Sequence, residues 1–352
     1  MSEAQGNERI EDWVAKEGKA RGRGNGKKMV FIIAIIAVVL IAIIGTVIFL
    51  ANRKKATPAD KMNYLAGLDV MCGPNGIVSV GNGEFLVTDV YGKKIWKVNV
   101  NGTASVYAGA ETQKDASGQP IGGYQDGLLL EALFQEPWAI VPFMNGYAVT
   151  DAGNHAVRYL SDTDVQTLNG YNSKLEMGDM GVTFERPTGL AVDEQGRLYV
   201  ADTARGEIYQ IDSTGAVNVY ASDLNSPTGL CWSNGALYVA ETGENRIISL
   251  KDGKVTPIAG TGEEGDKDGI ASVATFSSPQ GVTVGDDGTI YVGDTTNGFI
   301  RRIKDGKVDT ILQMEPDTLT TYPLSPTGAC CEGDKLYVCD VFSRKVYVLQ
   351  TK

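Results

Sequence analysis

Six stretches between residues 74 and 340 repeat one order of apolar and polar positions. Each begins with a proline, a variable residue and a small residue. It then runs through an apolar segment, a glycine-bearing turn and a second apolar segment to a carboxylate. The proline and the carboxylate are 14 or 15 residues apart, at Pro74 and Asp89, Pro137 and Asp151, Pro187 and Asp202, Pro227 and Glu241, Pro279 and Asp294, and Pro326 and Asp340. Segments such as Leu198-Tyr199-Val200 have the length and the β-branched and aromatic content of strands.

Two more strand-length segments follow most carboxylates, for example 207–211 and 216–220. Four antiparallel strands per unit, repeated every 40 to 63 residues, predict an all-β fold, a β-propeller of six four-stranded blades. The last unit ends after its third strand, and residues 63–67 resemble the ends of fourth strands elsewhere in the chain. We therefore expect the N-terminal strand to complete blade six and close a propeller over residues 63–352, since closure removes exposed sheet edges.

A different pattern near the N-terminus is an apolar run without a charge, from Met29 to Leu50. As a helix its 22 residues would rise about 33 Å, enough to cross a hydrocarbon core of about 30 Å. The run is longer than the apolar region of a cleaved signal peptide, so we predict a single-pass signal anchor. Six basic residues between Lys16 and Lys28 precede the run and four between Arg53 and Lys61 follow it, which predicts an N-terminus in the cytoplasm. The predicted order is a cytoplasmic basic tail (1–28), a transmembrane helix (29–51), a linker (52–62) and a propeller outside the cell membrane.

The repeated units resemble NHL repeats. The most specific copy runs from Phe276-Ser277-Ser278-Pro279-Gln280-Gly281 to Ile290-Tyr291-Val292-Gly293-Asp294, and Asp151-Ala152-Gly153-Asn154-His155-Ala156 comes closest to the Asn-His-Leu that names the repeat. The resemblance implies a six-bladed propeller. It does not fix the function, because such propellers include protein- and RNA-binding modules, an amidating lyase and gluconolactonase-like metal-dependent hydrolases.

Charge and composition narrow these functions. The 352 residues include 32 Lys and Arg against 43 Asp and Glu, a net charge of −11, which disfavours nucleic acid as a partner. His155 is the single histidine of the chain, which disfavours multi-histidine metal sites and most histidine-based acid–base schemes. We expect His155 to be a turn residue of its repeat.

Ligand binding is expected on the propeller face that carries the second-to-third turns and the long connections 108–136, 171–186, 260–278 and 313–325, because binding residues usually lie on loops over a rigid scaffold. The residue after each repeat proline is predicted at the channel mouth, a set that comprises Asn75, Trp138, Thr188, Thr228, Gln280 and Thr327. Five of these are hydrogen-bonding side chains and one is a flat aromatic, which suits a small polar or peptide ligand. An open alternative is that these six residues only cap the first strands and bind water.

The six repeat carboxylates, Asp89, Asp151, Asp202, Glu241, Asp294 and Asp340, are predicted to be structural, because an Asp at a turn readily accepts backbone N–H bonds. A calcium site built from them stays open as an alternative, and no other cofactor is predicted. A looser acidic cluster at Glu264, Asp266 and Asp268 is interpreted as a solvated loop. The five cysteines (Cys72, Cys231, Cys330, Cys331 and Cys339) leave two alternatives, a disulfide across the ring closure or burial as free thiols.

These observations favour a non-enzymatic propeller, tethered to the membrane, that binds a protein, peptide or glycan through its long-loop face. The alternative function is a divalent-cation-dependent hydrolase or lyase, gluconolactonase-like, with its site at the channel mouth.

Overall fold

The computed structural model describes residues 63–169, 183–212, 214–313 and 325–351. They form six antiparallel sheets, in which the strands of each repeat pair in chain order; two sheets have an additional two-residue strand that pairs with the last strand of its sheet. Blades one to three comprise β1 (Pro74–Gly81), β2 (Glu84–Asp89), β3 (Lys94–Asn99) and β4 (Ala104–Ala108); β5 (Gly127–Leu128), β6 (Pro137–Phe143), β7 (Gly146–Asp151), β8 (Ala156–Leu160) and β9 (Asp164–Asn169); and β10 (Pro187–Val192), β11 (Leu198–Asp202), β12 (Glu207–Ile211) and β13 (Val217–Ala221).

Blades four to six comprise β14 (Pro227–Ser233), β15 (Ala236–Glu241), β16 (Arg246–Lys251) and β17 (Lys254–Ala259); β18 (Gly269–Ile270), β19 (Pro279–Val284), β20 (Ile290–Asp294), β21 (Phe299–Lys304) and β22 (Lys307–Gln313); and β23 (Pro326–Glu332), β24 (Lys335–Asp340) and β25 (Lys345–Gln350). Single 3-10 turns, Ala152–Asn154 and Thr242–Glu244, follow β7 and β15. Every innermost strand begins at a repeat proline, where the missing N–H removes no ladder bond.

The six sheets form a closed ring. Each innermost strand contacts the innermost strand of the next blade, and β23 of blade six contacts β1 of blade one. The N-terminal residues complete blade six: the Leu65 amide donates to the Val346 carbonyl at 2.9 Å, and the Val348 amide donates to the Asn63 carbonyl at 2.9 Å. The predicted six-bladed propeller is therefore confirmed, and the N-terminal segment closes it as expected, although through these two bonds and one β-bridge, Tyr64 to Tyr347, instead of a full fourth strand.

The apolar core is divided among the blade interfaces. Six clusters of buried side chains each join two neighbouring blades, and blades six and one, for example, share Phe85, Val87, Tyr337 and Cys339. Second strands such as β11 and β20 are buried along their whole length because both of their faces are covered by neighbouring blades, whereas outermost strands such as β17 are largely exposed. Ring closure and all six cores use residues of one compact unit, Ala56–Lys352, which is therefore expected to fold as an independent domain.

The predicted membrane helix at 29–51 lies outside the described residues, as do the tail 1–28 and the linker 52–62. In the part of the chain that the structure describes, no helix has the length and apolar character needed to cross a membrane. The five cysteines of the propeller are all free thiols.

Candidate functional site

The register of the strands places two sets of connections at one end of the ring. Pro74, which begins β1, pairs with Asp89, which ends β2, and Ile95 near the start of β3 pairs with Ala108 at the end of β4. The turns from second to third strands and the described parts of the connections from one blade to the next therefore share one face. We call it the long-loop face.

The six repeat carboxylates are all buried beneath this face. Asp89 is typical: its Oδ1 accepts from the Gly73 amide at 2.7 Å and the Gly92 amide at 2.8 Å, while Oδ2 accepts from the Cys72 amide at 2.9 Å. Each carboxylate thus ties the segment before the first strand to its own blade. Equivalent bonds come from the amides of Gln135, Glu136, Glu185, Arg186, Asn225, Ser277 and Ser325.

Burial raises the pKa of the Asp151 and Asp294 carboxyls, and the neighbouring guanidinium groups of Arg158 and Arg301 act in the opposite direction. Burial also raises the pKa of Asp340, whose opposing partners are mainly backbone N–H groups. These carboxylates are committed to bonds within the protein. Among the described residues, no three His, Cys, Asp or Glu side chains come together as metal ligands.

The structure brings together five of the six residues predicted at the channel mouth. Asn75, Trp138, Thr228, Gln280 and Thr327 line a central channel cavity of about 110 Å³. Thr188 does not line it, and its buried hydroxyl lies 2.6 Å from the Thr203 hydroxyl instead.

Several polar groups at the mouth are bonded across blades. Asn75 Nδ2 donates to the Trp138 carbonyl at 3.0 Å, and Thr327 Oγ1 donates to the Asn75 carbonyl at 3.1 Å. No carboxylate of a described residue lines the channel, whereas calcium takes six to eight oxygen ligands with carboxylates prominent among them. This donor set does not fit a divalent cation.

Blade two contains a buried arginine, Arg158, that was not predicted as a functional residue from the sequence. The Arg158 side chain is fully buried, and Nη1 donates to Asp151 Oδ2 at 3.1 Å and to the Leu133 carbonyl at 3.0 Å. Nη2 donates to Asp126 Oδ1 at 2.7 Å and to the Gln125 carbonyl at 2.8 Å. One guanidinium therefore fixes the long connection before blade two to the centre of that blade.

Arg301 does the same in blade five, where it donates to Asp294 Oδ2 at 2.6 Å and to Asp268 Oδ1 at 3.1 Å. Asp268 also accepts from the Thr310 amide at 3.0 Å. The acidic cluster interpreted as a solvated loop is therefore in part a loop anchor. The sequence pattern that could have predicted these anchors is an arginine seven residues after the repeat carboxylate. Blade one has Trp96 at this position, and its indole N–H donates to Asp89 at 3.1 Å.

His155 lies in the turn after β7, as expected, in a left-handed backbone conformation with φ 53°. Its Nδ1 contacts the Glu185 carbonyl of the next blade. The side chain is thus used in a contact between two connections of the long-loop face.

A larger cavity lies off the ring axis, where connections of blades six, one and two meet on the long-loop face. We call it the rim cleft; its volume is about 670 Å³, and it is lined in part by Cys72, Tyr91, Lys93, Ile121, Phe342 and Arg344. Burial raises the pKa of the Cys72 thiol, with the Asp89 carboxylate acting in the same direction. None of the site residues predicted from the sequence lines this cleft.

The chain is similar to proteins of known sequence and structure. A family profile described as "SMP-30/Gluconolactonase/LRE-like region" matches residues 74–339. NHL repeat-containing protein 2 of Gallus gallus is 46% identical over 68 residues, which is 19% of this chain and 9% of that protein. The chain spans about a fifth or less of the length of the curated relatives that it matches.

Among the solved structures that share the fold are a lyase and a binding protein. Virginiamycin B lyase from Staphylococcus aureus superposes with a TM-score of 0.56 at 14% identity, covering 82% of this chain and 99% of that one. An auxiliary nutrient binding protein from Bacteroides thetaiotaomicron superposes with a TM-score of 0.58 at 12% identity, covering 80% of this chain and 70% of that one. At such identities the likeness extends to the fold alone.

Proposed function

The chain belongs to the SMP-30/gluconolactonase/LRE-like family, and we propose that this member of the family is a binding module rather than an enzyme. It is a six-bladed propeller, and the NHL-repeat resemblance is confirmed by the family match and the NHL relative. In the proposed function, an N-terminal helix anchors the propeller outside the cell membrane, and the long-loop face recognises a protein, peptide or glycan.

The observation that carries the proposal is the anchoring of the long loops. The connections before blades two and five are each fixed by a buried arginine, Arg158 or Arg301, bonded to both a loop carboxylate and a repeat carboxylate. Loops held in one conformation over a rigid scaffold lose little conformational entropy when a ligand binds. The auxiliary nutrient binding protein supports the proposal as an example of this fold in a binding role.

Binding can be assigned to a face by two variants within blade two. Fluorescently labelled Ala56–Lys352 is screened on glycan and peptide arrays, and a saturable ligand is titrated against Trp138→Ala and Met144→Ala. Trp138 lies at the channel mouth, where the Arg186 guanidinium stacks 5.4 Å from its ring centroid, while Met144 is exposed in the turn between β6 and β7 on the opposite face. We expect Trp138→Ala to weaken binding about tenfold or more and Met144→Ala to leave it unchanged; the reverse dependence would contradict the proposal.

The orientation in the membrane is tested on the full chain in intact cells. A C-terminal epitope tag should be labelled by antibody without permeabilisation, and an N-terminal tag only after it. Labelling of the N-terminal tag alone in intact cells would reverse the assignment made from the flanking basic residues.

The alternative function is a divalent-cation-dependent hydrolase or lyase at the channel mouth. It is favoured by the family match, which includes all six innermost strands, and by the fold shared with virginiamycin B lyase. Metal analysis of purified Ala56–Lys352 and an assay of glucono-1,5-lactone hydrolysis with added calcium, manganese or zinc distinguish the two functions. Stoichiometric metal with hydrolysis above the buffer rate would replace the binding proposal by this one.

A further inference from the structure

We propose that the rim cleft is a binding site for a small organic anion with a flat apolar body, such as an aromatic carboxylate. Lys93 and Arg344 would hold the anionic group, and Tyr91, Phe342 and Ile121 would contact the body. This site is separate from the channel mouth, and the proposal does not depend on the recognition function proposed above.

The rim cleft has a net positive charge, whereas the chain as a whole is acidic. The chain carries a net charge of −11, yet the cleft is lined by two cations and one carboxylate. That carboxylate, Asp115, is engaged in its own loop, where Oδ1 accepts from the Ser117 amide at 2.8 Å and the Gln119 amide at 3.0 Å. Neither Lys93 nor Arg344 forms an ion pair with another described residue. The cleft thus offers two cations that are available to a ligand.

The backbone at these two cations is left-handed. Lys93 and Arg344 both have a φ of 59°, the left-handed region that side chains with a Cβ adopt only at a conformational cost. The same turn position is glycine in blades three and five (Gly206 and Gly298), asparagine in blade four (Asn245) and histidine in blade two (His155, φ 53°). Long cations therefore occupy a position that glycine fits better, and strained residues of this kind concentrate at functional sites.

The turns that carry these cations share a sequence. Asp89-Val90-Tyr91-Gly92-Lys93 in blade one and Asp340-Val341-Phe342-Ser343-Arg344 in blade six both read acid, valine, aromatic, small residue, cation. Across the six described turns between second and third strands, only these two have that order, and they belong to the neighbouring blades that border the cleft. The closure of the ring brings together turns that are some 250 residues apart in the chain.

The apolar part of the cleft is partly formed before a ligand arrives. Tyr91 and Phe342 are each 43% exposed and Ile121 is 48% exposed, so all three present apolar surface to solvent. The Tyr91 ring lies against the backbone of Gly73, where a Cβ would come within 2.5 Å of the ring carbon Cδ2. A volume of about 670 Å³ lies within the range of sites for small organic ligands, about 300–1,000 Å³.

The test is a fluorescence titration of Ala56–Lys352 with 8-anilinonaphthalene-1-sulfonate, an aromatic anion. We expect one saturable site, with Kd raised about tenfold in Lys93→Gly and in Arg344→Gly, and further in the double variant. Glycine suits the left-handed turn, so the melting temperature of each variant should not fall. The control Asn245→Gly changes the same turn position in blade four and should leave Kd unchanged.

Competition identifies the ligand class. Benzoate should displace the dye, whereas inorganic phosphate at equal concentration and the uncharged dye N-phenyl-1-naphthylamine should not. The same Kd in the double variant and the unsubstituted propeller, or equally tight binding of the uncharged dye, would overturn the proposal, as would displacement by phosphate but not by benzoate. Trp138→Ala should not alter this Kd, so failure at the rim cleft is distinguishable from failure at the channel mouth.

Discussion

Single residues such as Arg301 connect parts of the propeller that are distant in sequence. Arg301→Met removes four hydrogen bonds and leaves the fully buried Asp294 without its cation. We expect the free energy of unfolding to fall by about 3–5 kcal/mol, measured by urea denaturation of Ala56–Lys352. The adjacent Arg302→Met is the control, since Arg302 pairs with Asp309 at the surface and should cost less than about 1 kcal/mol. Equal losses in the two variants would show that Arg301 is not an anchor.

Because the pKa values of two buried tyrosines are raised, we expect the free energy of unfolding to fall at alkaline pH. Burial raises the pKa of Tyr199 to about 12 and that of Tyr209 to about 12, and a bond to Glu207 adds to the second shift. Above pH 10 the unfolded chain releases these protons while the folded chain keeps them, so their contribution is complete below pH 10 and is lost between pH 10 and 12. The loss should reach about 2–3 kcal/mol for each tyrosine.

Urea denaturation at pH 9, 10 and 11 measures this dependence. The Tyr199→Phe variant loses the bond to Asp193, so its stability is lower at every pH, but its decline with pH should be shallower. A decline as steep as that of the unsubstituted propeller would exclude Tyr199 as the titrating group.

At the scale of strands and loops, the features that depend on a local sequence pattern could be predicted, namely the innermost strands and the residues at the channel. The innermost strands begin at the repeat prolines because alternation, turn residues and strand propensity all agree within about 15 residues. The five residues that line the channel were likewise predicted from one repeat position. Thr188 was predicted from the same position but does not line the cavity, because its buried hydroxyl lies against the Thr203 hydroxyl and the Thr228 carbonyl of blade four.

The rim cleft and the loop anchors could not be predicted in the same way. Arg158 meets Asp126 across 32 residues, and Tyr91 reaches the same cleft as Phe342 only because the ring closes. Such pairs of residues are distant in sequence and do not recur at a regular spacing along the chain. They depend on loop conformations, which sequence pattern alone does not determine.

The closing strand can be tested by truncation. A propeller that begins at Asp69 lacks the bonds of Asn63 and Leu65 to β25 and the buried side chains of Leu65 and Leu68. We expect a loss of about 3–6 kcal/mol in the free energy of unfolding, and self-association through the exposed edge of β25, measured by urea denaturation and light scattering. In the control Tyr64→Ala, the side chain is exposed and no backbone bond is lost, so a monomer of nearly unchanged stability is expected. An equally stable, monomeric truncated chain would show that residues 63–68 do not close the ring.

For the whole molecule, the close approach of the blades around the channel depends on glycines after the repeat prolines. A Cβ at Gly281 would overlap the Thr327 carbonyl of blade six, and one at Gly328 would overlap the Asn75 carbonyl of blade one, across the closure. The innermost strands thus pack backbone against backbone, which explains why the channel cavity is small. Blade two has Ala139 at this position, so a methyl group is accommodated at one of the six interfaces.

Gly281→Ala tests whether the closed ring behaves as one rigid unit. A closed ring cannot open at one interface without straining the others, so we expect the added methyl group to cost about 1–3 kcal/mol in the free energy of unfolding. Gly285→Ala is the control in the same blade, since its Cβ would meet no atom closer than 3.5 Å and its stability should be unchanged or slightly raised. If Gly281→Ala is as stable as the control, the blades move apart independently. The rim cleft, which is built from three blades, would then lack the fixed geometry on which its selectivity depends.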